Sequence, residues 1–347
     1  MISSPAANVV PLDRRSPRHR RSAPIDHAGD VRWIGTAAQE QVVSAAFGDD
    51  RAAAVVSQGI ERSDRVPPAA AVLGELAALT SFACRRLIGD YRVDDFGYDA
   101  EFAERVVLPM LRPLLNGWFR AEVVGLDNVP ADGPALIVAN HAGVLPLDAL
   151  MTSVAIHDRH RAHRTLRILA ADLVFALPVL APMARKAGHT LACVPDAHRL
   201  LCNGELAAVF PEGYKGLGKR FGDRYRLARF GRGGFAAAAL RAGAPIVPCA
   251  IVGSEEIYPM VANLGPLARV LGLPYFPITP TFPLTGLLGL VPLPSKWYIE
   301  FGTPIPTSGC ADADDPMAVF DLADRVRQTV GTLLRQRLAV RRNVFAG

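Results

Sequence analysis

Between residues 121 and 253 the chain alternates short apolar runs with helix-forming stretches, and few folds accommodate that rhythm. The runs are AEVVGL, ALIVAN, LRILA, HTLACV, ELAAVF and PIVPCAIVG. Between them lie a helix that starts near Pro146 and runs to His157, then ADLVFALPVLAPMARKAG, PDAHRLLCNG and GGFAAAALRAG. Strands separated by helices predict an α/β domain with a mainly parallel sheet flanked by helices, because parallel neighbours need a crossover between them. Further on, KWYIEFG reads as another strand and DPMAVFDLADRVRQTVGTLLRQRLAV as a closing helix.

The flanks behave differently. Residues 1–66 are rich in Ala, Arg, Asp, Ser and Pro without long periodic apolar runs, and are expected to be a disordered tail. VPPAAAV then leads into a helix over roughly 71–89, followed by a second over about 100–118. The second helix, FAERVVLPMLRPLLNGWF, reads as a cover for the core or as an amphipathic helix lying on a membrane, with Trp118 and Phe119 at headgroup level. Residues 67–119 are therefore expected to be N-terminal, membrane-contacting helices, and 120–347 the main domain. Residues 261–294 break the alternation, with many prolines and Arg269 as their only charge. They are expected to form an apolar hairpin that dips into lipid, the other reading being core packing.

Residues 1–30 lack a continuous apolar region of the secretory type, and no uninterrupted apolar run reaches eighteen residues, so neither a leader nor a spanning helix is expected. The five cysteines, Cys84, Cys193, Cys202, Cys249 and Cys310, have no metal spacing and read as free thiols of a reducing compartment. A net charge of +5 favours anionic partners.

Two stretches carry chemistry. In VANHAGVLPLDALM an apolar run ends in Asn140-His141, a turn with Gly143 follows, Pro146 suits the first position of a helix, and Asp148 falls in its first turn. If the loop folds back, Asp148 reaches the imidazole, holds one ring nitrogen protonated and leaves the other free as a base. Otherwise Asp148 complements the helix dipole and His141 is an ordinary loop histidine. The second stretch is ELAAVFPEGYKGLGKRF. Gly213, Gly218 and Lys219 imitate a phosphate-binding loop, but Arg220 stands where the magnesium-binding hydroxyl belongs and no periodic helix follows. Residues 212–241 hold eight basic residues against two acidic ones, which makes either a solvated face or a phosphate site. DRHRAHRTLR, 158–167, reads as a solvated connection, the other reading being a contact with lipid phosphates or the phosphates of coenzyme A. No metal-ligand spacing and no GxSxG elbow is present.

Asn140-His141 with Asp148, Phe210-Pro211-Glu212-Gly213 some seventy residues later, and the late strand PIVPCAIVG together resemble the glycerolipid and lysophospholipid acyltransferase superfamily, over about 120–303. The six residues between His141 and Asp148, rather than four, resemble its monoacylglycerol and diacylglycerol acyltransferase-like branches. The resemblance implies His141 as general base and Asp148 as its orienting carboxylate. It implies acceptor binding around Asn140, Phe210, Pro211, Glu212, Gly213, Lys215, Lys219 and Arg220. Lys215 stands where the family often has Arg, a point charge in place of a bidentate fork. The implied reaction moves a fatty acyl group from acyl-CoA or acyl carrier protein to a hydroxyl of a glycerolipid or lysophospholipid. It needs no metal and no cofactor. Membrane lipids and acyl-CoA are the expected partners, nucleic acid is not, and the expected place is the cytoplasmic face of a membrane, peripherally attached. A non-catalytic lipid-binding protein and an acyl-thioester hydrolase are the alternatives.

Overall fold

The computed structural model describes residues 68–231, 233–308 and 313–346. The expected tail over 1–66 and Cys310 lie outside them. By its internal contacts the chain divides into Met1–Ala83 and Cys84–Gly347. The boundary falls within helix α1, Pro68–Leu87. Everything below concerns the second unit.

The alternation produces the sheet it predicts. Seven strands are ordered β1-β9-β6-β2-β5-β3-β4, where β1 is Glu122–Val124, β2 Ala135–Ala139, β3 Leu166–Ala170, β4 Thr190–Leu191, β5 Leu206–Val209, β6 Ile246–Val252 and β9 Tyr298–Phe301. β2 to β6 run parallel wherever they pair. β9 is antiparallel to β6 and parallel to β1, so this edge of the sheet is reversed. β2, β5 and β6 are buried on both faces, which is why they read as continuous apolar runs.

Alternate side chains of each strand feed two cores. Ala135, Ile137 and Ala139 join Val247, Cys249 and Ile251 on one face. That face is covered by the helical stretch α2 over 100–118 and by α3, Leu147–Arg159. Leu136 and Val138 join Ile246, Ala250 and Val252 on the other, under α6, Val194–Cys202, α8, Gly234–Ala242, and α10, Pro316–Val340. Fully buried Trp297 stacks on Phe119 with ring centroids 4.4 Å apart.

Several helices depart from the predicted ones. In α2, α turns at Ala100–Phe102 and Leu108–Pro113 alternate with π turns at Ala103–Val107 and Leu114–Trp118. Pro109 and Pro113 have no N–H for the ladder, and the widened turns re-pair the carbonyls around them. α2 buries Leu108 and Leu115, with Phe119 buried directly after it, and exposes Met110 and Trp118, so it does cover the core. The stretch after β3 is two helices, α4, Asp172–Ala176, and α5, Leu180–Lys186, separated at Leu177-Pro178-Val179. After β5 comes a single turn, α7, Tyr214–Leu217, not the long helix of a nucleotide-binding loop.

Residues 261–294 are a surface segment. A two-stranded antiparallel pair, β7, Ala262–Asn263, and β8, Pro277–Ile278, encloses a short helix, α9, Gly265–Val270. A 3₁₀ turn, Gly286–Leu290, follows. Among the described residues no helix is long and apolar enough to cross a membrane.

The basic connection 158–167 is only partly solvated: Arg159, Arg161, Ala162 and His163 are exposed, whereas His160, Arg164 and Arg167 pack inward. His160 is buried with Nε2 3.0 Å from the Val129 carbonyl, and Arg164 donates to the carbonyls of Pro130 and Gly204. Arg167, on β3, is buried and pairs with Asp94 and Glu205. The loop carbonyls of Val129, Pro130 and Gly204 take these side chains as partners.

Candidate active site

Because β2, β5 and β6 are parallel, their C-terminal ends share one edge of the sheet, the usual place for a site in such folds. β2 delivers Asn140-His141 there, β5 delivers Phe210 to Gly213, and β6 delivers Gly253 to Glu256.

The loop after β2 does fold back. His141 Nδ1 lies 2.8 Å from Asp148 Oδ2, which also accepts from the Ala142 amide at 2.8 Å. Asp148 Oδ1 accepts from the Ala149 amide at 2.8 Å. Asp148 is fully buried in the first turn of α3, and both of its oxygens are taken up by these donors. With the carboxylate as acceptor, the Nδ1 N–H is the donor of this bond, and in that tautomer the lone pair lies on Nε2. Asp148 thus reaches the imidazole and also stands in the first turn of the helix. The imidazole, 11% exposed, packs against the Phe210 ring with centroids 4.9 Å apart.

The two motifs are joined through the backbone. The His141 amide donates to Glu212 Oε1 at 2.9 Å, and Glu212 Oε2 accepts from the Ala228 amide at 2.6 Å. Gly213 turns the chain at φ 54°, ψ −143°, a conformation that effectively requires glycine. In the turn that follows, Gly216 lies against the histidine loop. A Cβ there would fall 2.5 Å from the His141 carbonyl oxygen and 2.9 Å from Glu212 Cβ.

Three residues expected to contact the acceptor face inward instead. Asn140 is fully buried, and its amide donates to the Ile251 carbonyl at 3.0 Å and accepts the Ile251 N–H at 2.8 Å. It extends the β2–β6 pairing beyond the strand end. Glu212 is buried, with both oxygens occupied by protein donors. Lys219, half-buried as a residue, holds its ammonium between Glu212 Oε2 at 3.3 Å and Glu255 Oε1 at 3.1 Å. Of the other basic candidates, Lys215 and Arg220 are exposed, as is Gly213, while Pro211 is half-buried.

Sequence reasoning missed Gly216, Glu255 and Tyr275. The Tyr275 hydroxyl donates to the Val144 carbonyl at 2.6 Å, which ties β8's approach to the histidine loop. Burial pushes the Glu255 carboxyl up to about 7, against the opposing pull of Lys219. The acidic pair straight after a fully buried strand, GSEE, was the available signal for Glu255. Gly216 and Tyr275 carried none.

Residues 120–252 match the family model described as Acyltransferase, a span that holds His141, Asp148 and Glu212. The chain is 65% identical over 274 residues to a Mycobacterium tuberculosis protein described as uncharacterised, covering 78% of this chain and 76% of that one. It is 27% identical over 235 residues to a human protein, the DGAT1/2-independent enzyme synthesizing storage lipids, covering 66% of this chain and 65% of that one. Among solved structures, the 1-acyl-sn-glycerophosphate (LPA) acyltransferase of Thermotoga maritima gives a TM-score of 0.46 at 19% identity, over 71% of this chain and 85% of that one. By the family match, residues 120–252 of the chain form a domain of the Acyltransferase family.

Proposed function

We propose that the protein transfers a fatty acyl group from a thioester, acyl-CoA or acyl carrier protein, to a hydroxyl of a glycerolipid or lysophospholipid. The observation that carries the reading is the His141–Asp148 pair, with Nδ1 held by a fully buried carboxylate and Nε2 without a protein partner among the described residues. Nε2 takes the proton of the acceptor hydroxyl as its oxygen attacks the thioester carbonyl carbon. Asp148 stabilises the imidazolium that forms. The tetrahedral intermediate collapses with cleavage of the C–S bond, and the imidazolium returns the proton to the departing thiolate. A thioester is already activated, so positioning and a base supply most of what the reaction needs.

On this reading Phe210, Pro211, Gly213, Lys215 and Arg220 lie on the acceptor side, with the two exposed cations available to an anionic headgroup or to the phosphates of CoA. The acceptor and product are lipids, and the hairpin supports a peripheral seat on a membrane, proposed here as its cytoplasmic face. Leu284, Leu287 and Leu288 are 88%, 83% and 76% exposed. Trp118 of α2, itself exposed, donates its indole N–H to the Pro292 carbonyl at 2.9 Å, which ties the two segments together.

The test is thiol release from palmitoyl-CoA with and without a panel of lysophospholipids, monoacylglycerols and diacylglycerols, for wild type and His141→Ala. Release that requires an acceptor and His141 supports the transferase and identifies the acceptor class. Release without acceptor supports a thioester hydrolase, and wild-type turnover by His141→Ala overturns the mechanism. Vesicle binding with no release from any donor supports a non-catalytic lipid-binding protein.

A further inference from the structure

Three charged groups beside the catalytic pair have no part in proton transfer. Glu212 follows β5, Lys219 lies beyond α7, and Glu255 follows β6. They meet below the His141 amide with side chains only 0%, 9% and 4% exposed. Lys219 Nζ donates towards both carboxylates, at 3.3 Å and 3.1 Å. The remaining acceptors are taken up as well. Glu212 receives the amides of His141 and Ala228, and Glu255 Oε2 receives the Tyr225 amide at 2.8 Å.

The outer end of the cluster is also fixed. The Tyr225 hydroxyl accepts the Gly253 amide at 2.9 Å, and Glu256, adjacent to Glu255, is bonded to Arg341 at 2.8 Å. A chain of contacts thus runs from the segment after α10, through Glu256 and Glu255, to Lys219, Glu212 and the backbone of His141.

Buried ion clusters are weak sources of stability, because desolvation cancels much of their attraction. Removing one member is a different matter. Without Lys219, two buried carboxylates face one another with no cation between them, and one must move or take up a proton. Glu212 is the member attached to His141. Its displacement releases the amide that holds the histidine backbone, while the Asp148 bond to the ring stays in place. Lys219 is itself neutralised by its partners, which removes it from the set of cations free to meet a phosphate.

We infer that Lys219 and Glu255 are positioning residues for His141: Glu255 holds Lys219, Lys219 holds Glu212, and Glu212 fixes the backbone from which the imidazole is presented. The kinetic consequence rests on the acyl-transfer reading above; the geometric one does not.

The experiment has two arms on the full-length chain. In the first, Lys219→Met, Glu255→Gln, the double variant and Lys219→Arg are assayed for acyl transfer under conditions that separate kcat from KM. Lys219→Met is expected to lower kcat about tenfold to a hundredfold, the scale on which small misplacements of a catalytic group act. KM for the thioester should change less than threefold. Lys219→Arg should recover part of kcat, since it again places donors between the two carboxylates. The double variant should fall short of the product of the two single losses, as for residues of one network. A loss confined to KM would make Lys219 a binding group and overturn the inference, as would wild-type kcat in folded Lys219→Met.

The second arm records the amide resonance of His141 in protein labelled at histidine nitrogen, assigned by its disappearance in His141→Gln. Lys219→Met and Glu255→Gln should shift or broaden it. An unmoved resonance in folded variants overturns the inference whatever the enzyme does. If the resonance moves but His141→Ala retains turnover, the positioning stands and the base assignment falls. Glu255→Gln keeps a carbonyl for the Tyr225 amide, so this variant keeps the test decisive if Lys219→Met does not fold.

Discussion

The corner where β2, β5 and β6 end and the hairpin over 261–294 treat the same solvent in opposite ways. At the corner nearly every polar group is buried and partnered: Asn140 with Ile251, Asp148 with three donors, Glu212 with His141, Ala228 and Lys219. In the hairpin, large apolar side chains stand in solvent: Leu264, Val270, Leu271, Leu284, Leu287 and Leu288 are all exposed. A buried polar network is costly unless every member is satisfied, so its geometry is narrow and a single change propagates. Exposed leucines gain nothing from the fold, so changes there should leave the fold almost indifferent. On the proposed reading, one region is built for position and the other for a surface outside the molecule.

That contrast is tested first where the effect should be largest. His141→Ala removes the proposed base and should lower kcat by about 10²- to 10⁴-fold. Its thermal midpoint should move by only a few degrees, since a partly exposed ring is lost. Asp148→Asn should also act on kcat, because an amide that donates towards Nδ1 favours the wrong tautomer. Transfer assays beside calorimetry separate the two. An inactive His141→Ala that also unfolds would show that the corner is a structural element in its own right.

The second test uses pH. Burial holds Glu255 in the fold at about 7, above its ordinary value of 4.5. The folded state therefore binds a proton more readily than the unfolded chain between those values. The contribution of this group is fully present below 4.5, declines as pH rises towards 7, and stays lost above it. The slope is worth up to about 3 kcal/mol, taking 1.36 kcal/mol per unit. Denaturant unfolding of wild type and Glu255→Gln from pH 4.5 to 8 should show the wild-type decline and a flatter profile in the variant. Equal slopes would mean that Glu255 is solvated as an ordinary carboxylate and the corner is looser than described.

Gly216→Ala probes the closeness of the two motifs. Its Cβ would meet the His141 carbonyl at 2.5 Å, a backbone atom that no rotamer can move aside. Overpacking of this kind costs about 1–3 kcal/mol. Activity should fall with it, since the displaced atoms belong to His141 and Glu212. Unfolding midpoints and transfer rates report the two effects, and a stable, fully active Gly216→Ala would show that the loop has room.

The sheet was readable because β2, β5 and β6 are buried on both faces, and a strand in that position cannot be anything but apolar. β4 was overread: of HTLACV only Thr190–Leu191 pairs, because it lies at the edge of the sheet with one neighbour. The reversal of β9 has no local signature, since a strand's direction is fixed by its connection. At the site, residue types pointed to His141 and Asp148, but their meeting depends on a fold-back that spacing leaves undecided. Charge misled at three positions. Lys219, Arg164 and Arg167 look like solvated or ligand-binding cations in the sequence, and each is spent on a carboxylate or carbonyl of the protein, whereas Lys215 and Arg220 are exposed. A count of basic residues carries no information on which of them have internal partners.

The smallest effect on the fold should come from the hairpin, and that is where the comparison is sharpest. Leu287→Asp with Leu288→Asp replaces two side chains that are 83% and 76% exposed, so little packing is lost and stability should change by no more than about 0.5 kcal/mol. Sedimentation with anionic phospholipid vesicles should respond strongly, since burying a leucine is worth about 1.5–3 kcal/mol, or tenfold or more in partition. The Tyr275 bond to the Val144 carbonyl joins this surface to the histidine loop, so a seated hairpin and a placed His141 are mechanically connected. Turnover on vesicle-borne acceptor should therefore fall with binding, while turnover on a short-chain, monomeric acceptor should be close to wild type. Equal loss on both acceptors would mean that the leucines support the corner through Tyr275 and the division of labour between the two regions is wrong. Unchanged vesicle binding would mean that these leucines face something other than lipid.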